Sequence, residues 1–273
     1  LAAGSPLVQA WVADAQQGSG SGIYRLYAVS NLGSFFGLLV YPFVLEPSVS
    51  LDAQWRGFAV CLLAYSVLLV RVAKQAGVKQ PCNQGVQDTA HPEDGAPHVS
   101  CLPAALTRPM FWYLLPAISC FAMVATTNWL TLETTPMPLF WVLLLSAFLL
   151  SYVVGFSGRA ERWLPNLLFL AVLACVGVSL SLRLEAGTAF GSILLSGTAF
   201  LFLGGSMLHG WLHAIRPHAD RLTKFYLAIA VGGATGGLAG ALLPPLLFET
   251  VFEFPLAIVL VGGRAFVAYP YRD

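Results

Sequence analysis

Charge is the scarce ingredient of this sequence, with charged residues making up 10% of 273. A soluble domain carries about 25%, because its surface faces water. A chain so poor in charge must present most of its surface to another medium, and lipid fits. Long basic runs are also lacking, and the formal net charge is +1. That excludes a polyanion-binding protein, and nucleic acid as a partner. The five cysteines, Cys61, Cys82, Cys101, Cys120 and Cys175, form no CxxC pair and no zinc spacing. Three lie in apolar runs as small hydrophobes. Cys82 and Cys101 lie in a polar loop assigned below to the cytoplasm, where thiols stay reduced. No charged segment followed by an apolar one opens the chain, so no signal peptide is visible. The start at Leu1 reads instead as the middle of a longer protein. Nucleophile elbows, paired-carboxylate sites and dinucleotide fingerprints are missing too. No catalytic residue and no cofactor is therefore expected, and the chain is not expected to be an enzyme.

What is present is apolar length. Hydrophobic residues make up 57% of the chain, and the mean hydropathy is +0.74. A spanning helix needs about 20 largely apolar residues. Candidates lie near 23–45, 55–73, 109–130, 137–156, 163–182, 189–214, 222–247 and 253–268. The last is the weakest, because Gly262, Gly263 and Arg264 interrupt it. The runs are too long and too rich in Leu, Ala and Gly for strands. The expected fold is therefore an all-α integral membrane protein of about eight transmembrane helices. Residues 1–22 read as a short helix and a Gly/Ser linker, 23–73 as a two-helix unit, 74–108 as a flexible loop and 109–273 as a six-helix unit. If the chain crosses at every span, the side opposite the N-terminus receives only Arg56 and Arg183 of the 14 basic residues. By the positive-inside rule the N-terminus and the 74–108 loop are cytoplasmic, as in a cell's inner membrane.

Several polar side chains lie at lipid level. Asn31 and Ser34 in the first span, Asn128 in the third and Thr235 in the seventh either line a polar cavity or fix helix packing by hydrogen bonding across helices. Glu133, at the far end of the third span, is either solvated or a proton or cation site. His209 and His213 share a helix face four residues apart, a metal-ligand spacing, but no third ligand accompanies them. The alternative is an interfacial helix end whose histidines face headgroups. Gly33 and Gly37, and Gly232, Gly233, Gly236, Gly237 and Gly240, are small-residue stripes expected to let helices approach closely. The seventh-span glycines lack a Lys-Ser/Thr ending and do not follow a strand, so they are no phosphate loop.

The combination of Ser5-Pro6-Leu7-Val8-Gln9, the run Tyr24 to Ser34, Tyr41-Pro42 with Glu46-Pro47, Thr127-Asn128, the run Pro138 to Leu143, His209-Gly210, Arg216-Pro217, the run Leu222 to Leu227 with Gly232-Gly233, and the run Phe252 to Leu256 resembles the bacterial fused membrane-transporter/spermidine-synthase-like proteins. The resemblance covers nearly the whole chain. It implies a major-facilitator-type bundle, of which these eight spans match the last eight, with the 74–108 loop in the place of the long cytoplasmic loop after the sixth. It also implies that earlier helices and a synthase-like soluble domain lie outside residues 1–273. Trp211 stands where relatives carry an acidic residue soon after the histidine matching His209. Three functions follow as expectations. One is a transporter-like protein linked to polyamines or small cations, with a mid-membrane cavity lined by Asn31, Asn128 and Thr235. The second is a non-transporting membrane subunit or scaffold, whose partners are the bilayer and other membrane subunits. The third is the anchor of an aminopropyltransferase-like enzyme. No small-molecule ligand is named by the residues themselves.

Overall fold

The computed structural model describes residues 23–75, 109–133, 138–157, 160–181, 190–217, 221–247 and 252–267. The expected N-terminal helix and linker, and the loop from residue 76 to 108, lie outside them. The described residues are helical apart from a few turn and connecting positions, with no strand among them. Hydrocarbon forces this outcome, since a helix satisfies every backbone N–H and C=O within one segment.

Eight helical rods result among the described residues. They are α1 (Ile23–Val40), α2 (Leu51–Gln75), α3 (Phe111–Glu133), α4 (Pro138–Gly155), α5 (Ala160–Ser181), α6 (Phe190–Ala214), α7 (Leu222–Leu247) and α8 (Glu253–Val267). A π-helical turn, Tyr41–Leu45, and a short end, Glu46–Ser48, continue α1. There the Glu46 N–H reaches back to the Tyr41 carbonyl, the wider spacing falling where Pro42 has no N–H to donate. Gln54, near the start of α2, ties off the end of this rod by donating to the Val49 carbonyl at 2.8 Å.

The rods stand where the apolar runs predicted helices, but the expected count of eight spans is not reached on length and apolar composition together. Among the described residues five helices meet both conditions: Leu26–Ser48, Leu51–Lys74, Phe111–Leu132, Gly191–Ala214 and Leu222–Leu247. Apolar stretches in α4, α5 and α8 are shorter, Leu139–Gly155, Phe169–Leu180 and Glu253–Gly263. The reason lies in their ends. The first part of α5 carries Glu161, Arg162 and Asn166, and α8 carries Arg264. At 15 residues α8 is about 22 Å long, short of the roughly 30 Å of a hydrocarbon core.

Packing centres on α3 and α6. The first lies along α7, and the second touches α4, α5 and α3, while α1 leans on α4 and α8 bridges α3 and α5. Lipid tails are as apolar as leucine, so close approach rather than a hydrophobic drive must hold such helices together. Glycine supplies the approach. A Cβ built on Gly232 or Gly236 would fall 2.2 Å from the Tyr113 carbonyl oxygen and 2.0 Å from that of Ala117, and one on Gly240 would meet Val124 at 3.0 Å. Three residues per two turns of α7 thus rest directly on α3. Gly233 faces the Cys120 sulfur at 3.3 Å. Among the described residues nothing lies within 4 Å of a Cβ at Gly237, Gly33 or Gly37, so the close helix approach expected at those three is not seen there. By contrast α2 has none of its apolar window buried.

Candidate functional site

Two sets of buried polar side chains stand out, one toward each end of the bundle. The first gathers round His209, on the last third of α6. Its imidazole is fully buried. Nδ1 lies 3.0 Å from the Ser151 hydroxyl of α4, and Nε2 lies 3.1 Å from the Ser119 hydroxyl of α3. Tyr152 stacks on the ring at 3.5 Å between centroids and 18° between planes, and Phe148 meets it edge-on. Two glycines make room. A Cβ on Gly155 would stand 2.6 Å from the His209 Cβ, and one on Gly205 would stand 2.7 Å from the Ser151 hydroxyl. Both serines also donate to carbonyls of their own helices, Ser151 to Phe148 at 2.6 Å and Ser119 to Pro116 at 3.0 Å.

One turn further along, His213 is buried in a different setting. Its Nδ1 accepts from the Arg216 guanidinium at 3.1 Å, which also donates to the His213 carbonyl at 2.7 Å. The guanidinium lies 5.7 Å from the centroid of the Tyr24 ring. The Tyr24 hydroxyl donates to the Pro217 carbonyl at 2.6 Å, and the Trp112 indole N–H donates to the Ile215 carbonyl at 3.1 Å. Cationic and aromatic donors therefore bond carbonyls at and just beyond the end of α6. The two histidines share a helix but not a ligand set. Among the described residues no group of three His, Cys, Asp or Glu side chains stands close enough to hold a metal. The metal reading of the His209–His213 spacing finds no support there, since hydroxyls flank both ring nitrogens of His209 and a guanidinium holds Nδ1 of His213.

The second set lies at the opposite end. Glu253, the first residue of α8, is only 5% exposed, and the Asn128 amide of α3 donates to its Oε1 at 3.5 Å. Beside this pair Trp129 stacks on Phe254 at 4.2 Å and 8°, and Phe200 closes the stack edge-on. The Trp129 indole N–H is buried without a partner among the described residues.

The other predicted residues scatter. Asn31 donates to the Tyr27 carbonyl at 2.9 Å, and Ser34 to that of Ser30 at 3.2 Å, both within α1. Thr235 bonds the Gly232 carbonyl of its own helix. It lines an apolar groove of about 690 Å³ between α3, α7 and α8, with Ala117, Phe121 and Leu260. Neither Asn31 nor Asn128 reaches that groove. Among the described residues Asn31, Asn128 and Thr235 are not brought together round one cavity, and each bonds a different acceptor. The Glu133 side chain lies outside the described residues.

Sequence reasoning missed Ser119, Ser151, Gly155 and Glu253. Two signals pointed toward them. Gly204-Gly205 precedes His209 by one turn on the same helix, which marks a close approach. Glu253 opens α8 next to Phe252 and Phe254, apolar company that argues against a solvated carboxylate. Compared with protein families, curated proteins and solved structures, the chain matches none.

Proposed function

We propose that this chain is a transporter-like multi-pass protein of the inner membrane, with its N-terminus and the 74–108 loop in the cytoplasm, that handles a small cation. Polyamines are the cation class the family resemblance suggests, and the eight rods are read as the last eight of a major-facilitator-type bundle. The observation that carries the reading is Glu253. A carboxylate taken out of water costs several kcal/mol, on the order of the penalty for any buried ion, unless something neutralises it. Here the partner among the described residues is a neutral amide, and no lysine or arginine is paired with it. Ionisable side chains that persist inside a bundle under these terms mark ion pathways.

The test is uptake of a labelled polyamine, and separately of a labelled monovalent cation, into vesicles holding the purified chain. Uptake above empty vesicles is expected. Glu253→Gln should lower it about tenfold or more, since one lost charge–charge contact is worth at least about 1.4 kcal/mol, while the helical circular dichroism is kept. Uptake equal to that of empty vesicles sinks the reading.

A second reading, a non-transporting subunit of a larger membrane complex, is favoured by α2. Trp55, Phe58, Leu63, Val67 and Leu68 are all exposed along a rod with no buried residue in its apolar window. A photo-crosslinking residue at position 63 in the native membrane should then give one discrete heavier species. Lipid adducts alone would remove that reading.

A further inference from the structure

We propose that His209 is a proton-binding site, an imidazole that the bundle holds in either charge state by turning a single serine hydroxyl. Four contacts converge at the ring and its two serines: Nδ1 to Ser151, Nε2 to Ser119, Ser151 to the Phe148 carbonyl and Ser119 to the Pro116 carbonyl. Each contact needs one hydrogen. The two hydroxyls supply one each, a neutral imidazole supplies one, and an imidazolium supplies two. The arrangement is complete with the ring charged and one hydrogen short with the ring neutral.

The shortfall is cheaply met. Pro116 and Phe148 lie inside helices, where each carbonyl also accepts the backbone N–H four residues on. Releasing a serine leaves neither carbonyl bare. The longer of the two serine bonds, Ser119 to Pro116 at 3.0 Å, is the one to yield. With the ring neutral, Nδ1–H donates to Ser151, and Ser119 turns its hydrogen onto Nε2. When a proton binds Nε2, Ser119 turns back to Pro116 and its oxygen accepts the new N–H. One hydroxyl rotation balances the proton, and no heavy atom has to move. That economy suits a site where Gly155 lies against the backbone of His209 and Gly205 against the Ser151 hydroxyl.

The ionisable neighbours are few. Cys120 of α3 and Tyr152 of α4 come within reach of Ser119. Tyr27 of α1 packs on Tyr152, and Tyr226 of α7 stacks on Tyr27. On α6 itself, His213 follows one turn later, bound to Arg216, the formal charge on that stretch. Of the other two helices against α6, α5 brings Cys175 and α8 brings Glu253 among the described side chains. An imidazolium at His209 is therefore held by hydroxyl oxygens and by the face of Tyr152.

The proton equilibrium belongs to the folded bundle, so it stands or falls independently of transport. The test uses the full chain in liposomes, labelled with ¹⁵N in the histidine rings, with His91, His98 and His218 replaced by Gln so that two buried rings remain. Solid-state NMR follows the ring nitrogens from about pH 8 down to the lowest pH at which the helices persist. Ser119→Ala identifies His209 by its response. The expected result is reversible passage of the His209 ring from one bare nitrogen to none, with circular dichroism unchanged. Ser119→Ala should weaken proton binding about tenfold or more, the worth of one hydrogen bond to a charged group, and Ser119→Thr, which keeps the hydroxyl, should restore it. A ring that keeps one bare nitrogen over the whole range in which the helices persist overturns the proposal. So does a Ser119→Ala protein that titrates with the wild type.

Discussion

Gly236→Leu is expected to lower stability by about 3 kcal/mol or more and to prevent recovery of a monodisperse particle in detergent. The obstacle is backbone. A Cβ at Gly236 would sit 2.0 Å from the Ala117 carbonyl oxygen and 2.6 Å from its carbon, atoms that cannot rotate away as a side chain can. The helices must separate, and α3 and α7 then lose the close contacts that stand in for a hydrophobic drive in lipid. Even Gly236→Ala should show much of the loss. Gly237→Ala is the matched control, one residue away with open space around its Cβ position. There the helix gains up to about 1 kcal/mol, because alanine is the better helix former. Thermal unfolding followed by circular dichroism separates the two. Equal stability of Gly236→Ala and Gly237→Ala would mean that α7 does not rest on α3 as described.

His209→Ala should destabilise the bundle by about 3 kcal/mol, and His209→Phe by less than about 1.5 kcal/mol. The alanine variant loses the stack on Tyr152 and leaves a void where three helices meet. The phenylalanine variant refills the space and keeps an aromatic face toward Tyr152. Neither leaves a serine stranded, because Ser119 and Ser151 still have the Pro116 and Phe148 carbonyls as acceptors. An unpaired buried hydroxyl would add roughly 1–3 kcal/mol to both variants. The difference between alanine and phenylalanine therefore measures packing, and what remains in phenylalanine measures the polar contacts. A phenylalanine variant as unstable as the alanine one would place the weight on the hydrogen bonds.

The stripes of small residues show what local pattern carries and what it omits. Gly33 and Gly37 have the same spacing as Gly232 and Gly236, yet nothing among the described residues approaches the first pair while α3 lies against the second. Spacing says that a face is smooth. It does not say that a partner lies on it. Asn31 and Thr235 make the same point for polar side chains, since a carbonyl of the same helix is nearer than any shared cavity. Glu253 goes the other way. Its apolar neighbours Phe252 and Phe254 hint at burial, but only the packing of α8 shows that it lies against Asn128, 125 residues away in the chain.

Sequence alone determined that this is a helical membrane protein and where its helices lie, because hydrocarbon acts on each stretch separately and leaves a backbone no option but to bond to itself. Tertiary structure decided which glycines touch a neighbour, and how Ser119, Ser151 and His209 meet across separations of 90 and 58 residues. Such meetings depend on how whole helices rotate and settle against one another, and no window of neighbouring residues holds that information.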